Sequence, residues 1–357
     1  MKKKILIIAA VAVCLVLMLG LAQQILMPKY VSEAVDGRLI AEYYDSAQNH
    51  DVIFVGDCEV YENISPVTLW EEYGISSYVR GSPQQLIWHS YYLMEETLKY
   101  EKPKAFVFNV LSMKYGEPQS EAYNRLALDG MKWSKSKSDS VKASMTDEET
   151  YLSYLFPLLR FHSRWSELTA EDFTYAFKEV PQLSINGYLM RIDVDGIKQL
   201  RKGRPLMDYT LDEVCWEYLD KMRTLCEENG VELILMKAPT GTAKWCWYDQ
   251  WDAQVAEYAE KHDLRYYNFL KNVDEIGIDF MTDTYDQGGH LNLSGAEKLS
   301  RYFGKILADE LALKGHKGES EYEQTWSVLC DQYYQVKATQ EKLMKENGKL
   351  TGFTGIE

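Results

Sequence analysis

Cysteine is scarce in this 357-residue chain: there are six, at positions 14, 58, 215, 226, 246 and 330. No two form a CxxC pair, so the spacing specifies neither a zinc site nor a disulfide framework. A Gly-rich phosphate loop is missing, as is any metal-ligand spacing, and no cofactor or metal is expected. Basic charge is also short. Lys and Arg number 39 against 54 Asp and Glu, for a formal charge of −15, and the basic residues cluster only at the N-terminus. Such a chain repels nucleic-acid phosphates. There is no internal repeat. What remains is an ordinary globular balance, 46 % apolar and 26 % charged, enough for two domains or one elaborated α/β domain. Aromatics reach 13 %, with 26 Tyr and 9 Trp, which a packed core and a sugar-handling surface explain about equally.

One long apolar run exists. Ile5 to Ala22 follows Lys2, Lys3 and Lys4, and eighteen residues at ~1.5 Å each span about 27 Å, close to the hydrocarbon thickness of a bilayer. The positive-inside rule puts the N-terminus in the cytoplasm and the remainder outside. The length fits a single-pass anchor of the cytoplasmic membrane; the alternative is a signal peptide cleaved near Ala22, after Gly20-Leu21. Cys14 lacks the small residues that precede a lipidated cysteine. Asn63-Ile-Ser65 and Asn292-Leu-Ser294 match glycosylation sequons incidentally.

Residues 1–27 therefore read as the anchor and 28–50 as a polar, helix-prone stalk. A main domain follows over 51–316. Short apolar runs at Asp51–Gly56, Ile75–Val79, Pro103–Val110 and Glu232–Ala238, with a weaker one at Arg265–Asn268, read as buried parallel strands. Helical spacing fills Gln84–Tyr100, Leu211–Asn229 and Trp251–His262. Alternating strands and helices predict a parallel sheet covered on both faces. Between about 111 and 205 the alternation stops, which marks a helical insertion capping the site. Residues 317–357 read as a peripheral helix with a loose tail.

Two segments carry candidate chemistry. Gly56-Asp57-Cys58-Glu59 follows the first strand, where open parallel sheets place their ligands. Asp286-Gln-Gly-Gly-His290 precedes the last helix of the domain, which Ser294 and Glu297 open as a capping box. A loop histidine facing a strand-end thiol, with a carboxylate to orient the ring, is the logic of an activated nucleophile. Asp286 is the first choice for that carboxylate and Asp283 the second. Gly288 and Gly289 supply the backbone freedom for a tight loop. Glu59 either sits on the surface or tunes Cys58, and Asp57 bonds local backbone. Arg80 and Arg125 are candidates to receive an anionic polymer. His89 and His162 read as structural, Phe161 to Trp165 as packing or a groove wall, and Lys135 and Lys137 as part of a solvated loop.

These two blocks resemble those of the SGNH/GDSL hydrolases, over roughly residues 51–310. The resemblance is closest to a membrane-anchored bacterial branch that includes D-alanyl transfer and alginate O-acetylation proteins. Gly56-Asp57-Cys58 stands where the family has Gly-Asp-Ser, and Asp286 to His290 where it has Asp-x-x-His. Two departures follow: a thiol replaces the alcohol, and the second block is one residue longer. The family's oxyanion-hole Gly and Asn match Gly81 and Asn109 by position only.

The resemblance implies a three-layer α/β/α, flavodoxin-like domain. It also implies a Cys58–His290–Asp286 unit that removes or transfers acetyl or D-alanyl groups on a cell-envelope polysaccharide or teichoic-acid-like polymer, with a membrane-bound acyl-donor protein as a further partner. A thiol of depressed pKa would be the nucleophile. The rival reading is a non-catalytic envelope protein that keeps the fold and binds carbohydrate or a protein.

Overall fold

The computed structural model describes residues 2–28, 35–174, 177, 182–197, 199, 204–241, 247–350 and 352. Cys246, part of the expected stalk and most of the expected tail lie outside them. Five strands form one all-parallel sheet: β1 (Val52–Gly56), β2 (Ser77–Gly81), β3 (Ala105–Asn109), β4 (Glu232–Lys237) and β5 (Arg265–Asn268), in the order β2-β1-β3-β4-β5. That is the doubly wound order whose direction of travel reverses between β1 and β3, opening a crevice beyond their carboxyl ends.

The helices follow in chain order. α1 (Lys2–Leu26) and α2 (Val35–Glu42) precede the sheet, and α3 (Cys58–Tyr61) and α4 (Pro66–Tyr73) join β1 to β2. α5 (Ile87–Thr97) leads to β3. Between β3 and β4 lie α6 (Glu121–Leu128), α7 (Lys135–Ser144), α8 (Tyr151–Leu155), α9 (Leu158–Phe161), α10 (Ala170–Thr174) and α11 (Glu213–Asn229). α12 (Asp249–Lys261) leads to β5, and α13 (Val273–Ile276), α14 (Leu293–Glu310) and α15 (Ser320–Asn347) close the chain.

Strand side chains alternate faces, and so does the core. Val52 and Phe54 pack with Leu299, Phe303 and Leu307 of α14. Ile53 and Val55 pack on the other face with Trp88 of α5, Leu219 and Met222 of α11 and Val255 of α12. Both faces being covered, β1 is apolar throughout, and the polar residues of β3 and β4 (Asn109, Glu232 and Lys237) stand at the strand ends. The result is an α/β fold with a helical layer on each side.

Several sequence expectations change here. The second strand runs from Ser77 to Gly81 rather than from Ile75, because pairing with β1 starts at Val52↔Ser77. Residues 35–45, expected in a stalk, are built into the domain: Leu39, Ile40 and Tyr43 are buried, and Glu42 accepts the backbone N–H groups of Leu183 and Ser184. Lys135 and Lys137 start a helix rather than a solvated loop. Lys137 is buried, with its ammonium on the Met131 carbonyl at 2.9 Å. α14 is capped by Asn292, whose side chain accepts from Gly295 N–H, and not by Ser294. α15 is less peripheral than its polarity suggests, since Trp326 stacks on Trp70 with centroids 5.0 Å apart.

α1 is long and apolar enough to cross a membrane, and none of its residues is buried. The insertion helices α6–α10 pack on α2, α5 and α1. The return stretch of the insertion, 182–197, meets α3 and β2, where Leu189 donates to the Tyr61 carbonyl and Asn186 accepts from Val79 N–H, while Lys114 and Tyr115 at the insertion's start lie near Asp57 and Cys58.

Candidate active site

The turn after β1 places Cys58. Asp57 caps α3 by accepting Glu59 N–H at 3.2 Å, so Cys58 becomes the first helical residue. The turn is tight: a Cβ at Gly56 would lie 2.5 Å from Val60 Cγ2 and 3.0 Å from Asn109 Cβ. Gly81, at the end of the neighbouring strand, is closely but less severely packed, since its Cβ would lie 3.0 Å from the Tyr61 ring and 3.1 Å from the Gly56 carbonyl oxygen. Cys58 is buried, at 8 % exposed.

The loop 286–290 brings His290 to it. Gln287 (φ 62°) and Gly288 (φ 90°) take left-handed conformations, which turn the chain tightly before His290. The Asp286 carboxylate then accepts twice from His290, from the backbone N–H at 2.8 Å and from Nδ1 at 2.7 Å. A Cβ at Gly289 would lie 2.4 Å from Asp286 Oδ2, so a side chain at that position displaces the carboxylate. Asn63 Oδ1 ties the loop to α3 by accepting Leu291 N–H at 2.9 Å. With Nδ1 held by Asp286, the imidazole lies beside the Cys58 thiol, and each acts on the other's charge. Asp283 is engaged elsewhere, with Lys298 Nζ at 2.7 Å and Asp279 N–H at 2.8 Å.

A second carboxylate faces the same ring. Glu62, one turn after Cys58, has Oε2 3.8 Å from His290 Nδ1 and accepts from the Tyr285 hydroxyl. Tyr285 stacks near His290 and carries the Arg191 guanidinium 4.5 Å from its ring centroid. Burial works against the imidazolium, but the Glu62 charge, then Cys58 and Asp286, outweigh it, and the His290 pKa is held well above its ordinary value. Burial pushes the Cys58 thiol up to about 12, with Asp57 and Glu62 adding to the rise and His290 opposing it. The thiol is therefore not depressed, contrary to the expectation from sequence.

Beneath Cys58 lies a buried polar floor. Lys237, at the end of β4, holds both Glu59 carboxylate oxygens at 2.9 and 2.8 Å, and both side chains are shut from solvent. Asn109 donates to Asp57 Oδ1 and to Glu59 Oε2, each at 3.1 Å, while its own Oδ1 accepts from Ala238 N–H. Both hydrogens of the Asn109 amide are thus committed, which leaves it no donor for an oxyanion. Burial raises the pKa of Asp57 and of Glu59, opposed by nearby lysines. Glu59 is thereby an interior residue. Among the described residues, no three His, Cys, Asp or Glu side chains are grouped as a metal would require.

Sequence reasoning missed Glu62, Tyr285, Arg191 and Lys237. A lysine closing an otherwise apolar strand was the available signal for the last, and the i+4 spacing from Cys58 for the first. The two arginines that were candidates to receive a polymer are interior. Arg80 donates to the Leu93 carbonyl and Thr97 and lies 3.9 Å over the Tyr43 ring; Arg125 pairs with Glu121 and Asp129. His89 is buried and caps α5 through Leu86 N–H, whereas His162 is exposed on the insertion. Both sequon asparagines, Asn63 and Asn292, are buried. No family model matches the chain, and no curated protein matches it either.

Proposed function

We propose that the protein is an ester hydrolase or acyltransferase of the SGNH/GDSL type, anchored by α1 outside the cytoplasmic membrane and acting on acyl esters of an envelope glycopolymer. The observation that carries this reading is the Cys58–His290–Asp286 chain at the switch point of the sheet, with a 2.7 Å bond from His290 Nδ1 to Asp286.

In the reacting form His290 has lost its extra proton and takes that of the Cys58 thiol. Sulfur attacks the ester carbonyl, the carbon–sulfur bond forms, and the ester carbon–oxygen bond breaks. The leaving alkoxide takes the proton back from His290, leaving a thioester on Cys58. Water or a second hydroxyl, deprotonated by His290, then attacks the thioester. This releases the acid or a new ester and restores the thiol. With the Asn109 amide committed, the oxyanion falls to backbone amides at Cys58 and Gly81.

The thiol raised by burial favours the second reading, a protein that keeps the crevice to bind carbohydrate or a partner without turnover. Hydrolysis of p-nitrophenyl acetate by the full chain in lipid nanodiscs separates them. The catalytic reading requires turnover that rises into the alkaline range and disappears in Cys58→Ala and His290→Ala. Equal rates for wild type and Cys58→Ala would leave the binding reading.

A further inference from the structure

The insertion carries an apolar surface that is inside out. In α8 and α9, Tyr154 and Phe161 turn inward to the Arg125 guanidinium, 4.3 and 5.1 Å from the two ring centroids, and Ser153 accepts from the same group. The outward face holds Leu152, Phe156 and Leu159, and beyond it Trp165 and Phe173, each more than half exposed. A helix at a water-facing surface normally turns its polar side outward, and an apolar patch of this kind marks a surface that is covered in use.

Its position says by what. The end of α1 meets this segment: α1 touches α9, α10 and the turn 162–166, and Arg164 donates to the Leu26 carbonyl at 2.7 Å. Residues 2–21 of α1 stand fully clear of the protein, whereas Ala22, Gln23, Ile25 and Leu26 are partly covered. The apolar run from Ile5 to Ala22 spans about 27 Å, one bilayer core. The insertion thus meets α1 at the level where the hydrocarbon ends. Aromatic and leucine side chains at that level belong in the interface, with ring and chain among the lipid carbonyls.

We infer that residues 151–174 form an interfacial foot that sits in the outer leaflet beside α1, with phospholipid as the occupant of its apolar face. The foot fixes the domain against the membrane at two places instead of letting it swing on a single tether. This rests on the reading of α1 as a membrane anchor.

The test uses the full chain in nanodiscs of phosphatidylethanolamine and phosphatidylglycerol, doped with a phospholipid bearing a diazirine near the head of its acyl chain. After illumination, labelled peptides are mapped by mass spectrometry. The expected result is label on α1 and on 151–174, the latter reduced at least fivefold in Leu152→Ser/Phe156→Ser/Leu159→Ser. These three exposed positions leave thermal unfolding unchanged. Label on α1 with 151–174 clean overturns the foot and leaves the anchor intact. An α1 free of label overturns both.

Discussion

The Lys237 ammonium sits between the two carboxylate oxygens of Glu59, at 2.9 and 2.8 Å, with neither side chain reaching water. The pair joins the end of β4 to the helix that carries Cys58. Removing one partner leaves a buried charge uncompensated, which costs about 3–5 kcal/mol, whereas removing both together costs far less. Lys237→Met is therefore expected to lower the unfolding midpoint sharply, and Lys237→Met/Glu59→Leu to recover most of the loss. Thermal unfolding of the two variants reads this out. Equal midpoints for Lys237→Met and wild type would mean the pair carries no such weight.

Glycine at the turn after β1 is a steric requirement. With Val60 Cγ2 2.5 Å from an added Cβ, Gly56→Ala forces α3 away from the strand. Overpacking of this kind costs roughly 1–3 kcal/mol. Chemical denaturation should show that loss.

Gly289→Ala acts differently. Its Cβ would collide with the Asp286 carboxylate, which orients His290. The account predicts at least a tenfold fall in ester turnover with a near-normal unfolding curve, and kinetics alongside denaturation would separate the two effects.

The charges around Cys58 set the pH at which it reacts. Its pKa, raised to about 12, means that thiolate appears only as pH climbs far above neutral. The Glu62 charge contributes to that rise and also holds the proton on His290. Glu62→Gln removes its direct share of the rise, so over the pH range where His290 keeps its charge the profile of iodoacetamide alkylation at Cys58 should move to lower pH. Loss of the His290 charge in His290→Ala should move it to higher pH. Peptide mass spectrometry across a pH series measures both, and unchanged profiles would contradict the assignment.

Much of the fold was legible because parallel strands covered on both faces must be apolar throughout. Val52–Gly56, Ala105–Asn109 and Glu232–Lys237 fall within the runs read from sequence. Asp286 and His290 were legible because a short loop before a helix leaves few places for their side chains. The polar floor was not. Glu59 and Lys237 are 178 residues apart, and nothing local in either segment announces that they meet. Arg80 and Arg125 misled for the same reason, since an arginine that is buried and stacked on tyrosine looks, in sequence, like one that is free to bind an anion. The insertion reads in sequence as a break in the alternation. Its packing against α2, α5 and α1 depends on tertiary contacts that periodicity does not encode.

The most direct test of the central claim is to trap the acyl group. The full chain in nanodiscs is mixed with p-nitrophenyl acetate at alkaline pH, quenched in acid within milliseconds, digested and mapped. The account predicts one acetyl group on the peptide holding Cys58, labile to hydroxylamine as a thioester is. It also predicts the group's persistence when Asp286→Asn slows its release. Acetate released with no adduct on Cys58, or the same adduct level in His290→Ala as in wild type, would contradict it.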